Sequence, residues 1–311
     1  MKKLISIVIP AYNEEDVLEE LAKRLKVMMQ NVSNYDFEII MVENGSVDSS
    51  FEKLMDINKK DPRFKVIQLS RNFGCDGGLI AGLKYAAGHA IVLMNADLQD
   101  PPEVIPKFIE KWEKGYEIVY GIIDKRFGVS LSRKVLSSFF YKLIARLTGG
   151  LFPKNVSDFR LIDRKVCDAV GRMEERNCFL RGMIVWTGFK QAGISFDRPP
   201  RFAGRSKADF LTIFGTALNG IFSFSYLPLR LATLLGLILF VFSLLAGVVY
   251  VALYFIYGRI VPGFLSIVTL MLFLFGFLFL ILGVIGEYLA RVYDEVKRRP
   301  NYIIKDKIGL N

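Results

Sequence analysis

The first third of the chain alternates short apolar runs with longer segments in which apolar residues recur at helical spacing. The apolar, β-branched runs predict strands at residues 4–10, 37–42, 64–69 and 89–94. The segments between them predict a helix that begins near Val17 and further helices at residues 51–59 and 77–87. Because strands that alternate with helices form a parallel sheet covered by helices, the sequence predicts an α/β fold with a mostly parallel sheet.

Two long apolar runs lie in the last third of the chain, at residues 231–257 and 260–286, and neither contains a charged residue. Each is longer than the roughly 20 residues that a helix needs to cross a bilayer core. Both lie too far from the N-terminus to be a secretion signal. They predict two transmembrane helices joined by a short loop in which Arg259 is the only charge. A buried helical hairpin in a soluble core is the alternative interpretation.

Composition and charge favour the membrane interpretation. Apolar residues make up 52% of the chain, and the mean hydropathy is +0.34. The net charge is +10, and many basic residues flank the apolar runs: Arg205, Lys207, Arg230, Arg291, Lys297, Arg298, Arg299, Lys305 and Lys307. Because positive segments stay in the cytoplasm, we expect a multi-pass plasma-membrane protein with a cytoplasmic N-terminal domain. Anionic membrane lipids are expected partners, and the absence of a nucleic-acid recognition motif argues against nucleic acid.

Three polar loops follow predicted strands, at Asn13, at residues 43–48 and at residues 95–100. Loops at the carboxyl ends of parallel strands meet at one edge of the sheet, where ligands bind. The third loop carries Asp97 and Asp100 before a Pro-Pro turn. Carboxylate oxygens suit a hard divalent cation that also takes phosphate oxygens, so the pattern indicates a metal–diphosphate site. A solvated polar turn is the alternative. Asn13 is also predicted to cap the helix that follows it.

Four motifs resemble those of the family 2 glycosyltransferases with a GT-A fold: residues 8–15 (VIPAYNEE), 70–74 (SRNFG), 95–103 (NADLQDPPE) and 157–161 (SDFRL). Residues 175–182, 201–204, 222–225 and 286–288 extend the likeness over nearly the whole chain. Within that family the chain is similar to the polyprenyl-phosphate glycosyltransferases, namely bactoprenol glucosyltransferases and, more distantly, dolichol-phosphate mannose synthase.

The resemblance implies four regions. We expect a cytoplasmic GT-A catalytic domain at residues 1–206, amphipathic interface helices at 207–229, the two-helix transmembrane hairpin at 230–290, and a basic cytoplasmic tail at 291–311. It also implies a homo-oligomer, a tetramer by analogy with the family.

The resemblance also implies a donor site with Mg²⁺ or Mn²⁺ as cofactor. The family's D-x-D motif has Asp97 as its second acid and Asn95 in place of its first, so Asp97 and Asn95 are the expected metal ligands, with weaker binding. Gln99 is expected close to the donor as a catalytic residue. The expected nucleotide-sugar contacts are Pro10, Tyr12, Asn13, Glu14, Glu43, Asn44, Ser46, Asn72 and Asn95. Glu43 and Asn44 replace two acids of the family pattern, and the Asn44 carbonyl could accept a hydrogen bond from a pyrimidine N–H.

An acceptor site is implied as well. Asp158 corresponds to a carboxylate near the acceptor phosphate and is a candidate catalytic base, although the residues alone suggest a capping Asp. The expected lipid-phosphate ligands are Arg126, Arg133, Ser137 and Arg201. Arginine's planar fork suits phosphate oxygens, and Arg133 and Ser137 are spaced to share a helical face. A solvated basic loop is the alternative.

These expectations combine into one activity. The sequence predicts a hexosyltransferase that moves a sugar, with glucose from UDP-glucose as the first guess, onto polyprenyl (undecaprenyl) phosphate at the cytoplasmic membrane face, with inversion and with a metal ion. The alternatives are the same reaction with another sugar donor and a non-catalytic, membrane-tethered protein that binds nucleotide sugar or lipid phosphate. The departures at Asn95, Glu43 and Asn44 motivate the non-catalytic alternative.

Overall fold

The computed structural model of the chain describes residues 2–126, 156–176, 178–200, 202, 227–257 and 263–310. Its strands are β1 Lys3–Ala11, β2 Tyr35–Glu43, β3 Phe64–Leu69, β4 Ala90–Leu93, β5 Ile118–Arg126, β6 Val156–Asp163, β7 Gln191–Arg198 and β8 Ile304–Ile308. Its helices are α1 Leu18–Asn31, α2 Ser50–Lys60, α3 Gly74–Tyr85, α4 Ile105–Glu113, α5 Arg164–Gly171, α6 Leu180–Trp186, α7 Leu227–Tyr257 and α8 Phe264–Lys297, with a 3-10 turn at Pro102–Val104.

The described strands form one mixed sheet in the order β7-β5-β6-β4-β1-β2-β3-β8. Strand β1 pairs in parallel with both β2 and β4, β2 with β3, and β5 with β7. Strands β6 and β8 pair antiparallel with their neighbours. The predicted α/β fold with a mostly parallel sheet is therefore confirmed. Strand β3 has the predicted bounds, whereas α3 begins at Gly74 rather than residue 77.

Both faces of the sheet are covered because the central strands are apolar on both sides. In β1, Ile7 and Ile9 are fully buried in the main core, and Val8 on the opposite face is also fully buried. Helix α1 buries Leu18, Leu21 and Leu25, which recur at helical spacing and belong to that core. Helix α3 lies close to β1 because Gly82 has no side chain, and a Cβ there would collide with Val8. This arrangement places the carboxyl ends of β1, β2 and β4 side by side.

The predicted capping role of Asn13 is wrong. Helix α1 begins at Leu18, and its N-cap residue, Val17, makes no side-chain capping hydrogen bond. The Asn13 side chain instead accepts a hydrogen bond from the Val47 N–H at 2.9 Å. Asn13 adopts a left-handed backbone with φ of 50°, which Asn tolerates better than most residues. Asn13 therefore ties the first polar loop to the second.

Helices α7 and α8 contain the two predicted apolar runs. Among the residues that the structure describes, two helices are long and apolar enough to cross a membrane, with candidate spans at Leu229–Leu253 and Phe273–Lys297. Helix α7 is described as far as Tyr257, and residues 258–262 lie outside the described part of the chain. Helix α8 runs to Lys297, well past residue 286. The chain divides into two compact units, Ile221–Arg298 and the remainder, Met1–Gly220 with Arg299–Asn311. Of the predicted interface region 207–229, only residues 227–229 are described.

The segment predicted as a basic cytoplasmic tail, residues 291–311, contains regular secondary structure. Residues of α8 occupy its beginning, and β8 occupies its end. Strand β8 pairs antiparallel with β3, with Val66 opposite Ile308 and Leu69 opposite Ile304. The last residues of the chain thus complete the edge of the N-terminal sheet.

A buried carboxylate stabilises the start of the sheet. Glu38 is 4% exposed, and it accepts hydrogen bonds from Ser6 Oγ, the Ala87 N–H and Lys65 Nζ. Burial alone would raise the pKa of Glu38, but the bonds from Lys65, Ser6 and Ala87 outweigh it and lower that pKa. Because the folded pKa is the lower one, the stabilisation is present above the unfolded value, about 4.3, and is lost as pH falls through the folded pKa.

We expect Glu38→Gln to lower the free energy of unfolding by about 1–3 kcal/mol at neutral pH, because Lys65 loses its buried partner. The thermal unfolding midpoint of the full chain in detergent, measured from pH 7 to pH 3, checks this. The variant should also lose less stability than the wild type as the pH falls. Glu110→Gln is the matched control, since its pair with Lys114 is exposed on both sides and should contribute nothing measurable. Equal midpoints for Glu38→Gln and the wild type would contradict the prediction.

Candidate functional site

The first two polar loops are joined by hydrogen bonds at the carboxyl ends of β1 and β2. The Asn13 N–H donates to Ser46 Oγ at 3.0 Å, and the Glu14 N–H donates to Ser50 Oγ at 2.9 Å. Glu43 is 1% exposed, and its carboxylate accepts the Ser46 N–H. Glu43 thus holds the turn that presents Ser46 to Asn13. Its expected contact with a nucleotide stays a prediction.

Asn44 fastens a further loop to this edge. The side chain is 3% exposed, its Oδ1 accepts the Phe73 N–H at 3.0 Å, and its Nδ2 donates to the Gly74 carbonyl at 2.8 Å. Gly45 lets the two backbones approach, because it has φ of +71° and a Cβ there would collide with Arg71. The amide oxygen has a second lone pair, so the expected contact between Asn44 and a pyrimidine stays a prediction.

The third polar loop presents Asp97 in a strained turn. Asp97 is 6% exposed, and its Oδ1 accepts the Gln99 N–H at 3.1 Å. Between them, Leu98 has a left-handed backbone with φ of 58°, which costs about 1–2 kcal/mol for a residue with a branched side chain. The Gln99 side chain donates to the Pro199 carbonyl at 3.4 Å. Backbone strain of this kind clusters at functional sites.

Asn95 is oriented by two neighbours. Its backbone N–H and its Nδ2 donate to Asp100 Oδ2 at 3.1 and 3.2 Å. The Cys75 thiol donates to Asn95 Oδ1 at 3.5 Å. Asp100 is fully buried, and burial raises the pKa of Asp100 to about 6, against the effect of Arg198. The amide oxygen of Asn95 thus turns toward α3, and its nitrogen turns toward the buried acid.

Asp158 lies within β6 and is held by arginines, so the capping interpretation is wrong. Arg181 Nε donates to Asp158 Oδ1 at 2.7 Å. Arg160 is 2% exposed, and its guanidinium donates to the carbonyls of Ser157 and Asp158. Burial alone would raise the pKa of Asp158, but Arg181 and Arg160 outweigh it and lower that pKa. Asp158 is therefore a charged carboxylate at neutral pH.

The structure adds Arg181, Arg198 and Asp76, which the sequence did not identify as site residues. Arg198 Nη2 lies 3.8 Å from Asp100 Oδ1, and Arg181 holds Asp158. Burial and the charge of Asp158 raise the pKa of Asp76 to about 6. Asp100 was already named with Asp97 as a candidate carboxylate. Arg181 lies inside a motif that carries the family resemblance, so its position in that motif was the available signal. Asp76 and Arg198 had no such signal, because their neighbours lie far away in sequence.

Other predicted site residues are placed less closely. Pro10 packs against α3, since a Cβ at Gly78 of that helix would collide with the Pro10 side chain. Tyr12 follows β1 and is partly buried, and the exposed Asn72 accepts the Gly74 N–H at 2.8 Å. Arg126 is the last residue of β5. The other predicted lipid-phosphate ligands, Arg133, Ser137 and Arg201, lie outside the described residues.

The donor atoms at the site fit a hard divalent cation that is bound mainly through a substrate. Among the residues that the structure describes, no group of three or more His, Cys, Asp or Glu side chains could hold a metal ion. Asp97 offers a carboxylate and Asn95 an amide oxygen, and both are hard ligands. Mg²⁺ in proteins is usually held by one or two carboxylates together with substrate phosphates. The residues present therefore suit a metal ion that arrives with a diphosphate.

Sequence similarity to known proteins extends over nearly the whole chain. Residues 6–171 match the sequence model described as Glycosyl transferase family 2. An uncharacterised glycosyltransferase of Synechocystis sp. is 44% identical over 98% of this chain and 96% of its own length. The bactoprenol glucosyl transferase of Shigella phage SfII is 36% identical over 97% of both chains.

A solved structure supports the fold. Glucosyl-3-phosphoglycerate synthase from Mycobacterium tuberculosis, in complex with Mn²⁺, uridine diphosphate and phosphoglyceric acid, has a TM-score of 0.52 at 15% identity. The match covers 71% of this chain and 76% of that one. At this identity the likeness concerns the fold alone.

Proposed function

The chain belongs to glycosyl transferase family 2, and on that premise we propose that it transfers a hexose from a nucleotide sugar onto a polyprenyl phosphate. The observation that carries the proposal is the 36% identity, over 97% of both chains, to a protein named bactoprenol glucosyl transferase. That match includes the two apolar helices as well as the sheet. UDP-glucose is the proposed donor, and the proposed site is the cytoplasmic face of the plasma membrane.

The proposed reaction is a single displacement. An oxygen of the acceptor phosphate attacks the anomeric carbon while the bond from that carbon to the nucleoside diphosphate breaks, so the configuration inverts. A phosphate monoester has a second pKa of about 6, so it is ionised at neutral pH without a general base. Asp158 is therefore proposed to orient the site as a fixed negative charge rather than to remove a proton. Arg181 and Arg160 keep it ionised and in place.

The donor side is proposed to use the loops at the carboxyl ends of β1, β2 and β4. Hydrogen bonds of Asn13 and Ser46 join the first two polar loops, and Asn44 fastens the Ser70–Gly74 loop to them. These bonds give a nucleotide a preorganised edge. Asp97 and Asn95 would hold a Mg²⁺ or Mn²⁺ ion with the diphosphate. That ion would neutralise charge on the leaving group. Fixed charges of this kind usually supply a large part of the rate enhancement.

The membrane placement is proposed from the two apolar helices. Their candidate spans have mean hydropathies of 2.7 and 2.2, and basic residues flank them. A polyprenyl phosphate has its tail in the bilayer and its charged head at the surface, so an enzyme anchored there meets its acceptor by lateral diffusion. We propose that the protein acts as a homo-oligomer, as the family resemblance implies.

The test uses the full chain in detergent with polyprenyl phosphate, Mn²⁺ or Mg²⁺, and a panel of UDP- and GDP-sugars. We expect UDP-glucose to give a glycolipid together with released UDP, and the product's anomeric configuration to be opposite to that of the donor. Polyprenol without phosphate is the matched control acceptor and should give no product, because its hydroxyl is not ionised at neutral pH and it lacks the phosphate oxygen that attacks. If nucleotide binds but no donor is turned over, the chain is the non-catalytic binding protein of the alternative interpretation.

A further inference from the structure

The C-terminal residues lie against the segments that carry both halves of the candidate site. Strand β8 pairs with β3, and the pairing continues beyond β3, where the Ser70 N–H donates to the Ile303 carbonyl at 2.9 Å. Ser70 begins the loop that Asn44 fastens through Phe73 and Gly74. This loop therefore has two attachments, one to the β2 edge and one to the C-terminal segment.

Asn301 makes a second attachment to a different part of the site. Its Nδ2 donates to the Glu175 carbonyl at 2.8 Å. Glu175 precedes α6, and α6 carries Arg181, which holds Asp158. The backbone oxygen of Asn301 also lies 3.1 Å from the place where a Cβ on Gly77 would be, so Asn301 packs directly on the first turns of α3. We name residues 301–303 the C-terminal clamp.

The clamp joins two segments that are far apart in sequence and that face different substrates in the proposed reaction. The segment from Ser70 to Cys75 lies beside Asn44 and Asn95, on the donor side. On the other side, Arg181 of α6 holds the carboxylate of Asp158. A few residues before the clamp, Arg298 caps the C-terminal end of α8 and has a left-handed backbone. The clamp thus follows, in the chain, directly from the helix proposed to cross the membrane.

We propose that Asn301 is a positioning residue for the donor: it joins Glu175, which precedes the helix that carries Arg181, to the first turns of α3, which directly follow the Ser70–Gly74 loop. Through these contacts it sets the donor against Asp158. This rests on the proposed transfer function and adds a role for the C-terminus to it. Asn301 itself touches neither substrate. Its effect is transmitted through one side-chain hydrogen bond and its contact with α3, so it is separable from the pairing of β8.

The test compares Asn301→Ala with the wild-type full chain in detergent. The variant keeps the backbone of β8 and loses the bond to Glu175. We expect the KM for the nucleotide sugar and the Kd of UDP with Mn²⁺ to rise about 3- to 10-fold, in line with the loss of one hydrogen bond. The thermal midpoint should stay close to the wild-type value. Asn301→Gln, which keeps an amide donor, should recover part of the affinity.

Asp306→Ala is the matched control, because Asp306 is an exposed residue of β8 whose described hydrogen bond is to the next residue. It should leave KM and Kd unchanged. A lower midpoint for Asn301→Ala with unchanged KM and Kd would overturn the positioning role and leave only a structural one. Unchanged UDP affinity overturns it even if the wild type transfers sugar. Conversely, a wild type that binds UDP but transfers no sugar contradicts the proposed function alone, and the Kd comparison still decides the role of Asn301.

Discussion

Replacing Asp97 with Ala is expected to lower the rate of glycolipid formation by about 10²–10³-fold. The metal ion that is proposed to offset the charge of the leaving diphosphate would lose its main protein ligand. Asp97 is well placed for this role. It is 6% exposed, it lies in the loop that follows β4, and its carboxylate accepts the Gln99 N–H. Initial rates of UDP release and glycolipid formation, measured over a range of Mn²⁺ concentrations, check the prediction.

Asp97→Asn separates charge from shape in the same experiment. It can still accept the Gln99 N–H, so the turn should persist, while the negative charge is lost. We expect Asp97→Asn to be nearly as inactive as Asp97→Ala but closer to the wild type in its thermal midpoint. If Asp97→Ala kept wild-type rates with an unchanged metal dependence, the donor site would have to be elsewhere.

Replacing Asn95 with Asp is expected to change stability and metal response in opposite directions. In the native chain, Asn95 Nδ2 donates to Asp100 Oδ2 at 3.2 Å, and Asp100 is fully buried. A carboxylate at residue 95 would place a second acid beside Asp100 and leave only the backbone N–H of residue 95 as a donor, which should cost about 1–3 kcal/mol in the absence of metal. It would also offer a stronger ligand to a divalent cation, so the metal concentration for half-maximal transfer should fall about tenfold.

The thermal midpoint of Asn95→Asp measured in EDTA and in Mn²⁺ checks both parts. We expect a lower midpoint than the wild type in EDTA and a larger rise on addition of Mn²⁺. Asn95→Ala is the control, since it removes the side-chain bond to Asp100, keeps the backbone bond and adds no charge. It should show no enlarged response to Mn²⁺. A variant as stable as the wild type in EDTA would mean that the contact between residues 95 and 100 has little energetic weight.

Together these variants separate the transferase from the binding-protein interpretation. A transferase with Asn95 depends on Asp97 and on the diphosphate for its metal ion. A binding protein would tolerate loss of Asp97 with a modest change in UDP affinity and would show no turnover in any variant.

Features that depend on local sequence patterns could be predicted from the sequence. The strands at β1 to β4 follow from apolar β-branched runs, and α7 and α8 follow from uninterrupted apolar sequence, because both depend on local periodicity. The meeting of the Asn13, Ser46 and Asn95 loops at one edge follows from the parallel sheet. The family resemblance identified Asp97 and Asp158 as candidate site residues before the structure was considered.

Contacts between distant segments were not predictable in the same way. Asn is a residue type that often caps helices, but the Asn13 side chain accepts a hydrogen bond from the Val47 N–H of the neighbouring loop instead. Asp158 also resembles a capping residue, yet β6 places it in a strand beside Arg181. In both cases a partner from elsewhere in the chain replaced the local hydrogen bond that the sequence suggested.

The sequence by itself therefore determined the α/β fold, the two apolar helices and the family, since these depend on periodic patterns and on motifs that are read locally. Only the tertiary structure decided that Asn44 fastens the Ser70–Gly74 loop, that Asn95 faces a buried acid, and that the basic C-terminal segment completes the sheet. The physical reason is that a buried polar group takes whichever partner the fold brings within hydrogen-bonding distance, and sequence spacing carries no information about such partners.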